Sequence, residues 1–505
     1  MRSSAMSMPD SEPIRVRVTS AGLPPHDPLD LWTRLRETRP ADDVFLLEQL
    51  ENDGGRRSAV VGYGRLAELR VYGAAEGGGG RLEITGVPAL RGALAALARR
   101  HGMDAAPDGA RFGDPRQVWD VLAAVQGLFA VDTEQPADRY AFGFLTTLAY
   151  ESAWLMEELP PRTKPPHGPD LTLALFRDTV RYDGDPAGAL HLHAESEAFP
   201  AAPAGEGTPI LPPPPLADGR GVPDAPRPRA VRDSVSRDTF LGWAERCLEH
   251  IRVGDIYQIQ IGHRVDVQSD LTPRDVYRRL RARNPSPYMY LAPRAGGLLI
   301  GASPELHLRI EAGEITMRPI AGTTPRGPDD AENQRRVKEL RASTKERAEH
   351  VMLVDLCRND LGRVAVPSTR PVENLMEVET FSHVFHLVST VTGRLAPGTG
   401  VWDAIRATFP AGTMTGAPKI RAMEIIDGLE KEARGAYAGA VGLLDARGTW
   451  SELALCIRTV AYDGATYSTQ TSAGLVAQSD PAAEWRETLA KMGAAHWALT
   501  GEELL

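Results

Sequence analysis

Two stretches of the chain carry glutamates three residues apart. In Ser343-Thr-Lys-Glu346-Arg-Ala-Glu349-His350 and in Ala483-Glu484-Trp-Arg-Glu487-Thr-Leu-Ala-Lys491 the pattern is helical. Glu346 and Glu349 therefore share one face, as do Glu484, Glu487 and Lys491. Such carboxylates suit a hard divalent cation, and Mg²⁺ typically takes one or two while keeping water or substrate oxygens. The plainer reading is a solvated helix face, and Ser343 with Glu346 also fits a capping box; spacing alone favours it. A second candidate is Phe409-Pro-Ala-Gly-Thr-Met-Thr-Gly-Ala-Pro-Lys419, whose small residues and hydroxyls precede a helical pattern at 420–429 and can seat an anion. Any Gly-Pro loop before a helix looks similar. Arg458 and Tyr437, on β-rich runs, can clamp a carboxylate, Arg through its two-pronged fork, although an exposed arginine is the commoner outcome.

These groups need elements to position them. Residues 256–267 alternate as a strand, with Tyr257, Ile259 and Ile261 on one face and Gln258 and Gln260 on the other. Two amides on one strand face need partners or a ligand. Ahead of it, Phe240, Trp243, Ala244, Cys247 and Ile251 recur at helical spacing up to Gly254. Strands are expected at 297–301, 314–322, 439–444, 452–461 and 467–476, helices over 331–357, and a last helix opened by Asp480 and Pro481. In the N-terminal part, strands at 44–47 and 58–62 alternate with helical patterns at 89–100 and 115–129. Gly77 to Gly80 precede a strand without a Gly-Lys-Ser/Thr ending, which makes them a hairpin tip and not a phosphate cradle. The chain divides as 1–195, a Pro/Gly-rich linker at 196–235 containing Pro212 to Pro215, and 236–505. Docking of the Pro-rich stretch to an aromatic groove is the minor alternative.

The whole composition is that of a water-soluble enzyme. Across 505 residues, 42% are hydrophobic and 25% charged, with a net charge of −10. An acidic balance disfavours a broad nucleic-acid surface, which needs a basic excess. No apolar run is long enough to span a bilayer and the first residues lack a secretory core, so the expected location is the cytoplasm, with no membrane partner. Cys247, Cys357 and Cys456 lie about a hundred residues apart, without metal or redox spacing, and read as buried thiols.

Taken in order, Asn284-Pro-Ser-Pro-Tyr-Met289, Gly301-Ala-Ser-Pro-Glu305, Arg318-Pro-Ile-Ala-Gly-Thr323, Lys345-Glu-Arg-Ala-Glu-His350, Arg358-Asn-Asp-Leu-Gly-Arg363 and the 409–419 run resemble the catalytic domain of chorismate-utilising enzymes. The resemblance is strongest to the large subunit of anthranilate synthase (component I) and extends to 2-amino-2-deoxyisochorismate synthases. It covers about 254–498, and more weakly the N-terminal half through Phe45-Leu-Leu-Glu48 and 143–151. It implies an α+β fold, a two-layer α/β sandwich with large, mainly antiparallel sheets and the site in the cleft between them. It also implies a Mg²⁺ site formed by Glu346, Glu349, Glu484 and Glu487, completed by the ring carboxylate of chorismate. Arg458 and Tyr437 are expected to hold the enolpyruvyl carboxylate, with backbone N–H groups of a Ser472-Ala473-Gly474 turn and with Lys491. Thr413 and His386 are expected to line the ring. Glu305 matches the general acid that protonates the departing C4 hydroxyl, a role that a raised pKa in a closed cavity would suit.

Two positions bear on the nucleophile. Relatives that add water at C2 carry Lys where this chain has Gln258, and an amide cannot deprotonate water. Relatives that aminate at C4 usually carry a nucleophilic Lys where this chain has Ala321. Ammonia attack at C2 is what the resemblance leaves. No cysteine lies in a Gly-x-Cys-x-Gly elbow, so the ammonia is expected from a separate glutamine amidotransferase subunit. The leaning is towards anthranilate plus pyruvate, supported by His386. The alternatives are a secondary-pathway enzyme that releases 2-amino-2-deoxyisochorismate and an inactive partner-binding scaffold. Departures from the family pattern favour the first of these: Ser472 for Gly, Gln478 for Asp, Leu453 for Thr, and Leu46-Leu47-Glu48-Gln49 for Leu-Leu-Glu-Ser, the last setting feedback by tryptophan in question.

Overall fold

The computed structural model describes residues 12–51, 55–74, 78–184, 188–200, 221–367, 371–381 and 384–505. Two long strands organise it. Arg56–Gly73 and Leu171–Asp183 pair antiparallel along most of their length, with a register shift between Arg65 and Ala67. An extra residue bends a strand, and here the bend lets one pair serve two sheets. The first sheet runs in the order Ile14–Leu23, Ala189–Glu195, Leu171–Asp183, Arg56–Gly73, Val44–Leu50, Tyr288–Arg294, Gly297–Ser303, Thr459–Tyr462, Tyr467–Leu475, Gln258–Gln268, Ala230–Asp233. The second starts at Gly80–Gly86 beside the same pair, then adds Gly143–Leu148, Ala440–Asp445, Trp450–Leu455, Leu306–Glu311, Glu314–Met317, Val384–Arg394 and Val372–Thr380. Among the described residues the strand pairings are antiparallel apart from Ile14–Leu23 with Phe129–Thr133.

Alternation along the strands fixes the layers. Phe45, Tyr290 and Leu299 of the first sheet meet Leu145, Val441 and Leu443 of the second in one apolar layer. Their neighbours Leu46, Leu291 and Ile300 point outward, beneath helices Pro28–Thr38, Pro273–Arg283 and Pro481–Thr500. Phe144 and Leu444 do the same on the second sheet, beneath Pro88–Arg100, Pro115–Gln126, Thr344–Gly362 and Val401–Thr408. The expected α/β pairing of layers is thus doubled, as helix, sheet, sheet, helix. Each large apolar side chain buried there contributes about 1.5–3 kcal/mol, against about 1 kcal/mol net for a single hydrogen bond. The sheets therefore set the frame to which the polar side chains are fixed.

Several expected elements differ in detail. The strand expected over 314–322 is two, Glu314–Met317 and Ile320–Pro325, because Pro319 has no N–H to give a ladder. The strand over 452–461 is likewise divided into Trp450–Leu455 and Thr459–Tyr462, which lie in different sheets. The helical stretch 331–357 breaks at Ser343, the C-cap of Asp330–Ala342 and the N-cap of Thr344–Gly362. Tyr257 is not on the buried face with Ile259 and Ile261; it precedes the strand and is 67% exposed. Within the expected linker, residues 201–220 lie outside the described residues, and Ala230–Asp233 form an edge strand on Gln258–Gln268. All three cysteines are free and buried, and burial pushes the thiols of Cys247 and Cys456 up to about 12. Among the described residues no helix is long and apolar enough to cross a membrane.

Candidate active site

The chain crosses from sheet to sheet twice at one place. Ser303 ends a strand of the first sheet and Leu306 begins one of the second; Leu455 ends a strand of the second and Thr459 begins one of the first. The crossings hold each other, with Leu455 N donating to Glu305 O at 3.0 Å and Ala302 N to Arg458 O at 3.1 Å. Strands that leave a sheet together leave a gap, and Glu305 and Arg458 stand in it.

Glu305 is buried, and its Oε1 accepts a hydrogen bond from Thr413 Oγ1 at 3.1 Å. Burial pushes its pKa up to about 8, against the opposing pull of Thr413 and the more distant Lys491. At neutral pH it is a protonated acid able to give its proton away. Arg458 adopts φ +51°, the left-handed region, as the chain turns between sheets. Its Nη1 donates to Lys491 O at 2.8 Å, and burial lowers its pKa while Tyr437 and Glu487 pull it back up. Lys491 Nζ donates to Ser472 O at 3.1 Å and pairs with Glu487 at 2.6 Å.

Ser472, Ala473 and Gly474 are not a turn, as expected, but part of strand Tyr467–Leu475, opposite Gly262, Ile261 and Gln260. Tyr437 OH lies 2.5 Å from Ser472 Oγ, which donates to Gln260 Oε1 at 2.9 Å. Ser472 already uses its proton on Gln260, so Tyr437 is the donor in this relay. Burial raises its phenol to about 12, which keeps that proton in place. Gly474 has no side chain for a physical reason: a Cβ there would stand 2.7 Å from Gln260 Nε2 and 3.3 Å from Gln258 Nε2. Gln258 is buried, and its Oε1 has no hydrogen-bond partner. The expectation that the two amides on this strand face need partners therefore holds for Gln260 and leaves an acceptor at Gln258.

His386 Nδ1 lies 3.0 Å from Thr323 Oγ1 and 3.3 Å from Gly322 O, which assigns its proton to Nδ1. Burial lowers its pKa to about 4, so the ring is neutral, with the Nε2 lone pair unprotonated. With Arg458, Lys491 and Asn284 it lines a cavity of about 280 Å³.

The glutamates stand on the two expected helices. Glu484 is buried and its Oε2 has no hydrogen-bond partner. Burial, then Glu346, then Glu487 push Glu349 up to about 7; burial, then Glu487, raise Glu484. Glu346 approaches Gly322, whose Cβ position lies 3.4 Å from its Oε2. The four carboxylates are thus electrostatic neighbours, yet no three of them bring oxygens within 4.8 Å of one another. Hard oxygen donors, mutual repulsion and an orphaned buried oxygen fit a divalent cation as the group that would draw them together.

Sequence reasoning missed the support behind these groups. Buried Arg434 pairs with Glu430 at 2.7 Å and donates to Met414 O at 2.9 Å and Gln260 O at 2.8 Å; its guanidinium lies 5.7 Å from the Tyr437 ring centre. Glu430 also accepts from Gly262 N at 3.1 Å. The four-residue spacing of Glu430 and Arg434 was the available signal. Lys419, at the end of the 409–419 loop, pairs with Asp360 at 3.0 Å; Thr413 is the member of that loop which reaches Glu305. Of the departures, Ser472 is in the site, whereas Leu453 is in the core and Gln478 is exposed. Gln49 lines a separate cavity of about 400 Å³ with Tyr288, Met289 and Arg309, where it hydrogen-bonds Glu452.

A sequence profile of chorismate binding enzymes matches residues 92–496. The chain is 47% identical over 504 residues to 2-amino-4-deoxychorismate synthase of Streptomyces globisporus, covering 98% of this chain and 99% of that one. It is 45% identical over 371 residues to anthranilate synthase component 1 of Streptomyces coelicolor, 69% of this chain and 71% of that one. The crystal structure of anthranilate synthase component I from Streptococcus pneumoniae superposes with a TM-score of 0.66 at 28% identity, covering 87% of this chain and 92% of that one. The menaquinone-specific isochorismate synthase of Escherichia coli shares the fold, with a TM-score of 0.68 at 17% identity over 96% of this chain and 95% of that one.

Proposed function

The chain belongs to the chorismate binding enzyme family, and from that premise we propose that it aminates chorismate at C2 and releases 2-amino-4-deoxychorismate, the compound also called 2-amino-2-deoxyisochorismate. The observation that carries the choice of nucleophile is Gln258: a buried amide oxygen awaiting a donor, on a side chain that cannot itself deprotonate water. Ammonia needs no base, and Gln258 Oε1 accepts one of its N–H bonds. In the reaction the C2–N bond forms, the ring double bonds shift, and the C4–O bond breaks as Glu305 gives its proton to the leaving hydroxyl, so that water departs. Thr413 orients that acid. Arg458, Lys491 and the Tyr437–Ser472 pair hold the enolpyruvyl carboxylate. Placement and fixed dipoles supply most of the acceleration. Glu346, Glu349, Glu484 and Glu487 would hold Mg²⁺, which when bound neutralises and orients the ring carboxylate.

Release with the pyruvyl ether intact rests on the relative of that activity, which matches this chain from end to end. A second reading, elimination of pyruvate to give anthranilate, is favoured by neutral His386, whose Nε2 is available as a base. A separate glutamine amidotransferase supplies the ammonia in either reading: the three cysteines are buried, and at Cys247 and Cys456 burial raises the thiol, the opposite of what a glutaminase nucleophile needs. The test is to incubate the pure chain with chorismate, Mg²⁺ and an ammonium salt. A non-aromatic amine without pyruvate is the expected result; fluorescent anthranilate with stoichiometric pyruvate would establish the second reading, and isochorismate would overturn both.

A further inference from the structure

Near the opposite edge of the first sheet from Gln258–Gln268, a cluster with no part in the proposed chemistry gathers ligand atoms. His191 and His193 are two residues apart on strand Ala189–Glu195 and so present their rings to one face. Asp178 stands directly across from His193, and Tyr63 directly across from Asp178 on the next strand. Asp178 Oδ1 lies 2.9 Å from His191 Nε2 and 2.6 Å from His193 Nδ1. Asp178 and His191 are 4% and 5% exposed. Among the described residues this is the group of His, Cys, Asp and Glu in which three ligand atoms all lie within 4.8 Å of one another.

His191 Nε2 is also 3.0 Å from Tyr63 OH. A ring nitrogen carries either one N–H or one lone pair. With the proton on Nε2 it donates to Asp178, and Tyr63 OH beside it can only accept; without that proton it is a ligand atom facing a carboxylate oxygen. A cation would take that lone pair and the carboxylate together, in place of the proton between them. Behind His193, Glu195 Oε1 lies 4.0 Å from Nε2, where a carboxylate can fix the orientation of a ligating ring. His193 is partly exposed, which gives an ion a way in.

We infer that Asp178, His191 and His193 bind one Zn²⁺-like transition-metal ion that ties strand Ala189–Glu195 to Leu171–Asp183 beside the bend between the sheets. Two imidazoles and one carboxylate are the donor set of zinc and its neighbours, not of Mg²⁺. A tetrahedral ion at about 2.0–2.1 Å from each ligand would hold the ligand atoms about 3.3 Å apart. The three side chains reach that by rotating outward by a few tenths of an ångström. The fourth position is left to water.

The test uses the full chain, stripped with a chelator, then titrated with Zn²⁺ alone while excess Mg²⁺ occupies the glutamates. One zinc per chain should survive desalting and raise the melting temperature. X-ray absorption at the zinc edge should show scattering from two imidazoles. His191→Ala and Asp178→Asn should lose the retained zinc, and Glu484→Gln should keep it. Absence of retained zinc, an oxygen-only shell, or zinc that is lost with Glu484→Gln but kept with His191→Ala would each overturn the assignment. The absorption measurement on the unmutated chain decides the matter if either His191→Ala or Asp178→Asn fails to fold.

Discussion

In the proposed reaction Glu305 serves function at the expense of stability. Its carboxyl is held near 8 where an exposed glutamate sits near 4.5. Between those values the folded chain keeps a proton that the unfolded chain has lost, so stability falls as pH rises through that window and is lowest above 8. The full cost is on the order of 5 kcal/mol at about 1.4 kcal/mol per pH unit. Two outcomes follow for Glu305→Gln: chorismate turnover with ammonium should drop by about 10²–10⁴-fold, and melting above pH 8 should occur at a higher temperature than for the unmutated chain, with little difference in mild acid. The unmutated enzyme should lose activity as pH climbs through about 8, because only the protonated acid can release the C4 hydroxyl. Arg458 is expected to act on binding. Arg458→Ala removes charge-assisted hydrogen bonds worth about 1.5–3 kcal/mol each, so KM for chorismate should rise by about 10–100-fold. Arg458→Lys should restore little of it, because a lysine has no planar fork.

At the scale of elements, the glutamate pairs were legible because helical spacing puts residues three apart on one face, but only packing shows that the two helices confront each other. Glu484 is the member whose loss is most informative, being buried with an unpaired oxygen. Glu484→Gln should weaken Mg²⁺ binding by at least tenfold in a direct titration and lower turnover in parallel; undiminished turnover would sink the metal assignment. Helix Pro481–Thr500 and strand Tyr467–Leu475 could be read from periodicity and from the Asp480-Pro481 cap. The break at Arg458 could not be read in the same way, since a strand that changes sheets keeps its apolar composition; the break at Pro319 was legible in the proline itself, and the strands on either side of it stay on Val384–Arg394. Nor did the sequence reading reach Arg434, whose partners Met414 and Gln260 are distant in sequence. Removing one member of a buried ion pair costs about 3–5 kcal/mol. Glu430→Gln should therefore lower the unfolding midpoint, and turnover should fall with it as the Tyr437 and Thr413 segments lose their shared anchor. An apolar replacement of both Glu430 and Arg434 should recover much of the stability and little of the activity.

For the whole molecule, the doubled sheet explains why the groups of the proposed site come from such scattered positions. Glu305 and Arg458 are 153 residues apart and meet because both mark places where the chain leaves one sheet for the other. An apolar layer packed from both sheets lies beneath that crossing and fixes where the two chain segments meet. In the proposed reaction the attacking species has to be ammonia itself, since ammonium has no lone pair to attack with and predominates at neutral pH. In the isolated chain the rate at fixed total ammonium should therefore rise with pH while the ammonia fraction grows, then fall as Glu305 loses its proton. Glutamine alone should support no turnover. Adding a glutamine amidotransferase subunit that docks on this chain should make glutamine a substrate and flatten the rising limb, leaving only the fall near 8, because ammonia then arrives unprotonated whatever the pH outside. If the rising limb persisted unchanged with glutamine and the partner present, the ammonia would be reaching the site through bulk solvent, and the proposed direct delivery from the partner would be wrong.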